Sequence, residues 1–362
     1  MRTRILVTGA NGHIGANTIR ALLKKGYDVN AYVRKNSALH GLTGLPITLH
    51  TGDIRDRESL IKAAIGCEAI IHHAAVYNVA SRKPQEITEP AIEGTKNIFS
   101  AAAHAGIQRL VYTSSTYAIG NSKDPKTILT EKDWSNNKNI LYGVTKTSSE
   151  KLAWELAEKN KVPMISLCLA AVLGRYDYKV TPSNRLIFDM LKGAGLTVEG
   201  SLSIVDARDA GELHALAVTK GKTGERYIVS QGYYTMKEIG ELTARLSGKK
   251  VRHLPFSRGI NMATAVIMEF FGKLTGWDPP FNVGLAREFS HRHVRVDNSK
   301  IKNDFNYNFY SPEDSIRDTI KWFSFINNKV RLSKEIREEF QPEPGWIHPA
   351  APIVPGALQQ IS

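Results

Sequence analysis

Two residues in the C-terminal part of the first half have types and spacing that suit acid-base chemistry. Tyr142 and Lys146 stand four apart, so on a helix both side chains would lie on one face, about one turn apart. A free tyrosine has a pKa near ~10, and a neighbouring ammonium favours its phenolate. The pair therefore predicts a tyrosine that donates or accepts a proton near neutral pH, beside a lysine that could also bind the ribose of a nicotinamide cofactor.

A run of hydroxyl side chains, Thr-Ser-Ser-Thr at 113–116, follows a short apolar stretch that reads as a strand. A hydroxyl at such a strand end can hold a substrate oxygen and stabilise charge that develops on it. Ser115 is predicted to hold the substrate oxygen, and Ser114 and Thr116 are alternatives. A purely structural interpretation is that these hydroxyl groups only cap the end of the strand. The sequence has no Gly-x-Ser-x-Gly elbow, which argues against a serine hydrolase.

Three glycines near the N-terminus, Gly9, Gly12 and Gly15, lie between an apolar strand and an apolar helix. In this context the first permits a tight turn, the second removes a side chain where a pyrophosphate approaches, and the third lets the helix pack closely. The helix N-terminus then offers free N–H groups to phosphate oxygens. The residues predicted to bind a dinucleotide here are Thr8, Gly9, Asn11, Gly12, His13, Ile14 and Gly15.

The end of the second predicted strand indicates which dinucleotide is bound. No carboxylate stands there for a ribose 2′-hydroxyl, and Arg34 and Lys35 could meet a 2′-phosphate instead. NADP(H) is therefore predicted over NAD(H), and Arg34 is predicted to bind the 2′-phosphate. The alternative is that Arg34 and Lys35 belong only to a solvated turn. Asp53 and Ile54 follow the third strand and are predicted to flank the adenine, unless the aspartate merely belongs to a turn.

Strands and helices alternate through the first 170 residues, which predicts an α/β fold with a doubly wound parallel sheet of the Rossmann type and a smaller C-terminal substrate-binding lobe. We divide the chain into 1–173 (completed by strands near 203–230), a discontinuous lobe at 174–326, and a polar, proline-rich tail at 327–362 that is expected to be extended or partly disordered. The predicted strands of the first part are Arg4–Thr8, Asp28–Val33, Thr48–Thr51, Ala69–His73, Leu110–Thr113 and Met164–Leu169, and its helices are Ile14–Lys25, Ser59–Ala64, Ile92–Ala105 and Tyr142–Lys159.

Composition is that of an ordinary globular chain: 362 residues, 42% hydrophobic and 23% charged. The net charge of +13 suits an anionic partner such as a phosphorylated cofactor, or it reflects scattered surface lysines. No motif predicts nucleic-acid binding, the first residues are expected to form a buried strand rather than a signal peptide, and Cys67 and Cys168 read as buried thiols of a reducing, cytoplasmic compartment. His72 and His73 have no third ligand at suitable spacing, so no metal site is predicted.

A strongly apolar stretch at Asn261–Leu274 has helical character. We expect it to pack within the C-terminal lobe. The alternatives are that it lines the substrate pocket or contacts a membrane surface near basic residues.

The combination of motifs resembles the extended short-chain dehydrogenase/reductase family, which is the NAD-dependent epimerase/dehydratase family. The resemblance covers about residues 1–325. It rests on the glycine turn at 7–15 and on 142–146, together with Gly52-Asp53-Ile54, His73-Ala74-Ala75, Glu93–Asn97, Val111–Ser115, Val205–Ala210 and Trp322-Phe323.

This resemblance implies Ser115, Tyr142 and Lys146 as the catalytic set, and Ala74 and Ala75 in the loop over the cofactor. It also implies Val172 as a cofactor-binding residue, and a possible homodimer through the helices at 92–105 and 142–159. The stretch Glu89–Thr95 and Arg34 are most similar to the dihydroflavonol-4-reductase-like and 3β-hydroxysteroid dehydrogenase-like reductases. The chain departs from the family at Cys168-Leu169, where an Arg-Pro or Asn-Pro pair is usual. It also has Ala171 where nucleotide-sugar enzymes often carry Asn.

Three functions remain open at this point. The first is an NADPH-dependent reductase of a ketone or aldehyde on a fairly apolar small molecule. The second is a nucleotide-sugar epimerase or dehydratase that retains NAD(H). The third is a regulator that binds NADPH without catalysis, against which the Tyr-Lys pair argues, because a binding module needs neither residue.

Overall fold

The computed structural model describes residues 2–73, 84–136, 138, 140–193, 195–276, 279, 283, 286, 292–327, 329–351 and 358–360. Within these residues the strands are β1 (Arg4–Thr8), β2 (Asp28–Val33), β3 (Ile47–Thr51), β4 (Ala69–His72), β5 (Arg109–Ser115), β6 (Met164–Leu169), β7 (Ala171–Leu173), β8 (Leu196–Val198), β9 (Ser201–Asp206), β10 (Arg226–Val229), β11 (Gly232–Thr235), β12 (Arg252–Leu254) and β13 (Leu358–Gln360). The helices are α1 (His13–Lys24), α2 (Arg57–Ala64), α3 (Pro84–His104), α4 (Thr116–Ile119), α5 (Leu141–Lys159), α6 (Pro182–Leu191), α7 (Ala207–Leu216), α8 (Met236–Ser247), α9 (Arg258–Thr275), α10 (Ser299–Phe305), α11 (Pro312–Ile326) and α12 (Lys334–Glu339).

A parallel sheet with the strand order β10-β6-β5-β4-β1-β2-β3-β13 forms the centre of the molecule. Its inner strands are apolar and buried on both faces, as parallel strands covered by helices must be. The chain runs outward in one direction through β2 and β3 and in the other through β4, β5 and β6. The switch point therefore lies between β1 and β4, where α/β sheets bind ligands beyond the carboxyl ends of their strands. The predicted doubly wound α/β fold is confirmed.

Helices cover both faces of this sheet. On one face α1 and α7 pack together, with Ile19 and Leu22 of α1 and Leu213 of α7 in the core. Gly211 permits the close approach of these two helices, because a Cβ atom there would lie 2.7 Å from the backbone carbon of Asn17. On the other face α2, α3 and α5 bury a second core.

A smaller lobe stands beyond the carboxyl ends of the strands. It contains the three-stranded sheet β11-β9-β7, the two-stranded sheet β12-β8 and the helices α6, α8 and α11. Trp322 of α11 is fully buried at its centre, where its ring packs edge-on against Tyr178 at 4.9 Å. Capping boxes fix the starts of α8 and α11, in which Thr235 pairs with Glu238 and Ser311 with Asp314.

The C-terminal segment differs from the extended or partly disordered appendage that its polar composition predicts. Residues 329–351 pack on the smaller lobe, and 358–360 add a strand beside β3. Arg175, which follows β7, forms an ion pair with Glu343 of this segment. Widely spaced apolar side chains explain the packing, since each finds a place in the core of the lobe: Val330, Leu332, Phe340 and Trp346.

Other differences from the predicted elements concern their ends. The helix predicted at Ile92–Ala105 begins at Pro84, so it has two further turns and contains Pro90. The first of the strands expected near 203–230 is β9 at Ser201–Asp206, and it ends there because Asp206 caps α7 through a bond from the N–H of Arg208. The boundaries of the three chain regions stay a prediction.

Candidate active site

A cavity of about 640 Å³ opens at the switch point of the sheet. The glycine turn, the ends of β2, β3 and β5, and the start of α5 line its walls together with parts of the smaller lobe. Thr8 lies behind the wall, with its hydroxyl 2.8 Å from Nδ1 of His72, and Ala74 and Ala75 lie outside the described residues. The remaining predicted site residues all line this one cavity: Gly9, Asn11, Gly12, His13, Ile14, Gly15, Arg34, Asp53, Ile54, Ser115, Tyr142, Lys146 and Val172.

The glycine turn has the shape that a phosphate cradle needs. Gly9 has φ +66°, a conformation that side chains rarely adopt, and its carbonyl accepts from the N–H of Gly12 at 2.9 Å. A Cβ atom on Gly15 would overlap the Gly9 carbonyl oxygen, so the third glycine is required by packing. No side chain caps the start of α1 at Gly12, so the N–H groups of the first turn are left to face the cavity.

Tyr142 and Lys146 lie in the first two turns of α5. The Tyr142 ring is buried and packs edge-on against Tyr117, with 5.1 Å between ring centroids. Lys146 Nζ lies 6.0 Å from the centroid of the Tyr142 ring and donates weakly to the Thr113 carbonyl at 3.4 Å. Burial lowers the pKa of Lys146 to about 8, against the field of Glu150, which raises it. The arrangement places a cation beside a phenol, which favours the phenolate.

The three hydroxyl candidates at the end of β5 have different surroundings. Ser114 donates to Oε2 of Glu150 at 2.6 Å, so it already serves a buried network. Ser115 accepts from the N–H of Tyr117 at 3.2 Å and donates to the Leu169 carbonyl at 3.4 Å. That last bond is long and weak, so the Ser115 hydroxyl can turn toward a substrate oxygen at little cost. These contacts favour Ser115 over Ser114.

Glu150, one turn beyond Lys146, is a residue that the sequence analysis missed. Its carboxylate is fully buried and receives a two-point contact from Arg226 of β10, at 2.9 and 3.0 Å. Ser114 and Ser166 donate to it at 2.6 and 2.7 Å, and the Cys168 thiol donates weakly to its two oxygens at 3.7 and 3.9 Å. The spacing of four from Lys146 was visible in the sequence, but the partner 76 residues away was not.

A chain of hydrogen bonds fixes the protonation of His73, which lines the cavity after β4. His214 Nδ1 lies 2.6 Å from the Ala210 carbonyl, which can only accept, and burial lowers the pKa of His214 to about 4. The Nε2 atom of His214 therefore accepts from the Thr113 hydroxyl at 2.9 Å. Thr113 in turn accepts from Nδ1 of His73 at 2.8 Å, which leaves the His73 Nε2 atom as an acceptor that has no partner among the described residues.

The far end of the cavity, at the ends of β2 and β3, is cationic. Arg34 is exposed there, and Lys179 of the smaller lobe lines the same cavity. Burial lowers the pKa of Lys179, and the positive charge of Arg34 lowers it further. The Asp53 carboxylate is held by Arg55 at 2.9 Å through both oxygens, which lowers its pKa to about 2. Lys179 lies 145 residues from Arg34, and no local motif marks it.

A profile of the NAD dependent epimerase/dehydratase family matches residues 5–230. The chain belongs to this family. Among its relatives, sterol demethylase protein B of Methylococcus capsulatus is 30% identical over 328 residues, which span 88% of this chain and 97% of the relative. A putative dihydroflavonol 4-reductase of Synechocystis is 28% identical over 325 residues, 88% of this chain and 93% of the relative. The crystal structure of gox2253 superposes with a TM-score of 0.79 at 26% identity, over 91% of this chain and all of that one.

Membership of the epimerase/dehydratase family identifies the protein as an NAD(P)-dependent enzyme that acts on CH–OH or C=O groups. The described residues fit such a dinucleotide. The glycine turn has no side chain where a pyrophosphate would lie. Two buried ring nitrogens on the cavity wall, Nε2 of His13 and Nε2 of His73, have no partner within the described part of the chain. Cys67 and Cys168 are free and buried, as expected from their apolar surroundings.

Proposed function

We propose that this protein is an NADPH-dependent reductase that converts a ketone or aldehyde on a fairly apolar small molecule to an alcohol. The observation that carries the proposal is that Ser115, Tyr142 and Lys146 line the same cavity as the glycine turn and Arg34. One cavity can thus receive both a dinucleotide and the group to be reduced.

Each of the three side chains has a distinct role in this proposal. When bound, the cofactor supplies the hydride. Tyr142 donates its phenolic proton to the oxygen of the carbonyl as negative charge develops there. Ser115 turns its hydroxyl from the Leu169 carbonyl to the same oxygen and holds it against the phenol. Lys146 keeps a positive charge near the phenol, which eases the loss of the proton.

Apolar side chains on the lobe side of the cavity support an apolar substrate. Leu186 of α6, Ile204 of β9 and Ile239 of α8 all line it, and Ile204 and Ile239 belong to the core of the lobe. These three side chains suit aliphatic or aromatic carbon around the carbonyl of a small molecule. Ser201, Ser203 and Arg292 line the same side of the cavity and offer polar contacts to other groups of the substrate.

The cations at the far end of the cavity support NADPH over NADH. The positive charges of Arg34 and Lys179 repel each other across the cavity, and a phosphate between them would offset that repulsion. The carboxylate of Asp53 is already paired with Arg55 through both oxygens, which makes it a weaker partner for a ribose hydroxyl. We therefore place the 2′-phosphate of NADPH against Arg34 and Lys179.

Calorimetric titration with NADPH and NADH tests the cofactor. We expect Arg34→Ala and Lys179→Ala each to weaken NADPH binding about tenfold, or about 1.4 kcal/mol, with little effect on NADH. Lys35→Ala is the matched control, because Lys35 is exposed beside Arg34 but does not line the cavity. Equal losses for both cofactors would contradict the phosphate contact.

Turnover tests the reaction. The purified protein should oxidise NADPH with members of a panel of apolar ketones and aldehydes, and Tyr142→Phe should abolish turnover while NADPH binding persists. Tight NADPH binding without oxidation on the whole panel would argue for a binding protein. Cofactor that is released only on denaturation, together with turnover of a nucleotide sugar, would support an epimerase or dehydratase instead.

A further inference from the structure

Helix α9 presents apolar side chains to solvent along most of its length. Four of them, at 260, 267, 271 and 274, follow the spacing of one helical face, and two more lie at its edge. All are more than half exposed. We call these residues the α9 face: Ile260, Val266, Ile267, Phe270, Phe271 and Leu274.

The opposite side of α9 already has its partner within the protein. Asn261, Ala265 and Gly272 are buried, and Ala265 packs in a small core with Val198 of β8. The helix is thus apolar on both sides, and its packing within the lobe, which the sequence predicts, accounts for only one of them. Contiguous exposed apolar surface of this kind marks a site of contact with another apolar body.

We propose that the α9 face docks on an anionic lipid surface. The face consists only of aliphatic and phenylalanine side chains, which offer no directional polar contact. Protein interfaces, by contrast, carry about one hydrogen bond per 100–200 Å², and their binding energy is concentrated in Tyr, Trp and Arg. Hydrocarbon demands no such contact, and phenylalanine and leucine are typical of helices that lie in a membrane interface.

Charge complementarity also favours an anionic lipid surface as the partner of the α9 face. Arg258 opens the helix and Lys273 lies in its last turn, and both are exposed. Arg252 of the neighbouring β12 is exposed as well. The whole chain carries a net charge of +13, so anionic headgroups would attract it before the apolar face inserts. No described helix is long and apolar enough to cross a membrane, so α9 would lie along the surface.

Co-sedimentation with vesicles tests the apolar contact. The probes are vesicles of phosphatidylcholine alone and vesicles in which about a third of the lipid is phosphatidylglycerol. We expect the wild type to bind the anionic vesicles, and Phe270→Ser/Phe271→Ser to lower the partition coefficient tenfold or more. Ile65→Ser is the matched control, since Ile65 is equally exposed but lies at the end of α2. Its binding should equal that of the wild type.

The charged contact is tested in the same assay. Arg258→Ala/Lys273→Ala should weaken binding to anionic vesicles several-fold and reduce its dependence on salt. The control Lys24→Ala/Lys62→Ala removes two exposed charges from α1 and α2 and should have a much smaller effect. Thermal unfolding and NADPH titration of every variant show that the fold and the cofactor site are intact, so the result is independent of the proposed reaction.

Three outcomes would overturn the proposal. One is a wild type that binds neither kind of vesicle. Another is binding that Phe270→Ser/Phe271→Ser leaves unchanged. The third is a dimer in solution that this double variant converts to a monomer, because the α9 face would then be occupied by a second copy of the chain.

Discussion

Replacing Lys146 with methionine is expected to abolish turnover and at the same time to stabilise the fold. Burial lowers the pKa of Lys146 from 10.5 to about 8, so the folded protein holds an ammonium group in a place that disfavours it. A tenfold change in proton affinity corresponds to about 1.4 kcal/mol, which gives a cost of about 3 kcal/mol at pH 7. Solvent in the cavity screens part of the side chain, so the expected gain is about 1–3 kcal/mol.

Urea unfolding of the wild type and Lys146→Met across pH tests this reasoning. Between pH 8 and 10.5 the folded lysine is neutral while the unfolded one keeps its proton, so the unfolded state binds more protons and wild-type stability rises with pH. The gain from Lys146→Met should therefore be largest below pH 8 and disappear near pH 10.5. Lys159→Met, at the exposed end of the same helix, should change stability by no more than about 0.5 kcal/mol. A Lys146→Met protein that is less stable than the wild type at pH 7 would refute the argument.

Three further substitutions test the packing around the site by urea unfolding. Arg226→Met leaves the buried Glu150 carboxylate without its cation and should cost about 3–5 kcal/mol, and a loss below 1 kcal/mol would contradict a buried ion pair. Trp346→Ala should cost about 3–5 kcal/mol if the C-terminal segment belongs to the core of the lobe, whereas an unchanged midpoint would mean that it does not. Gly211→Ala should cost about 1–3 kcal/mol, because its Cβ would press on the backbone of Asn17, and a neutral effect would show that α1 and α7 have room to separate.

The parts of the site that the sequence predicts are those whose residues lie close together in the chain. Local spacing is enough to recognise three motifs, each of which spans fewer than ten residues: the glycine turn, the pair of Tyr142 and Lys146, and the hydroxyl run at 113–116. The alternation of strands and helices predicts the sheet for the same reason. It also predicts where these segments meet, because parallel strands bring their carboxyl ends to one edge.

The residues that the sequence analysis missed depend on contacts between distant elements. Lys179 reaches Arg34 from the smaller lobe, and His214 reaches Thr113 from α7, across 101 residues. Neither residue carries a local pattern. The packing of the C-terminal segment was missed because its apolar residues are spaced irregularly, and Trp346 is recognised as a core residue only once Trp322 and Arg175 are seen beside it.

The face of α5 that carries Tyr142 and Lys146 continues to Glu150, and this third residue explains how a buried lysine can keep a charge. The negative charge of Glu150 raises the pKa of Lys146 against the effect of burial, and Glu150 itself forms an ion pair with Arg226. Two opposing influences therefore set the pKa of Lys146: burial lowers it, and the Glu150 carboxylate raises it. A pKa of about 8 is the result, and it keeps Lys146 charged at neutral pH yet able to release a proton within the range in which a tyrosine beside it would work.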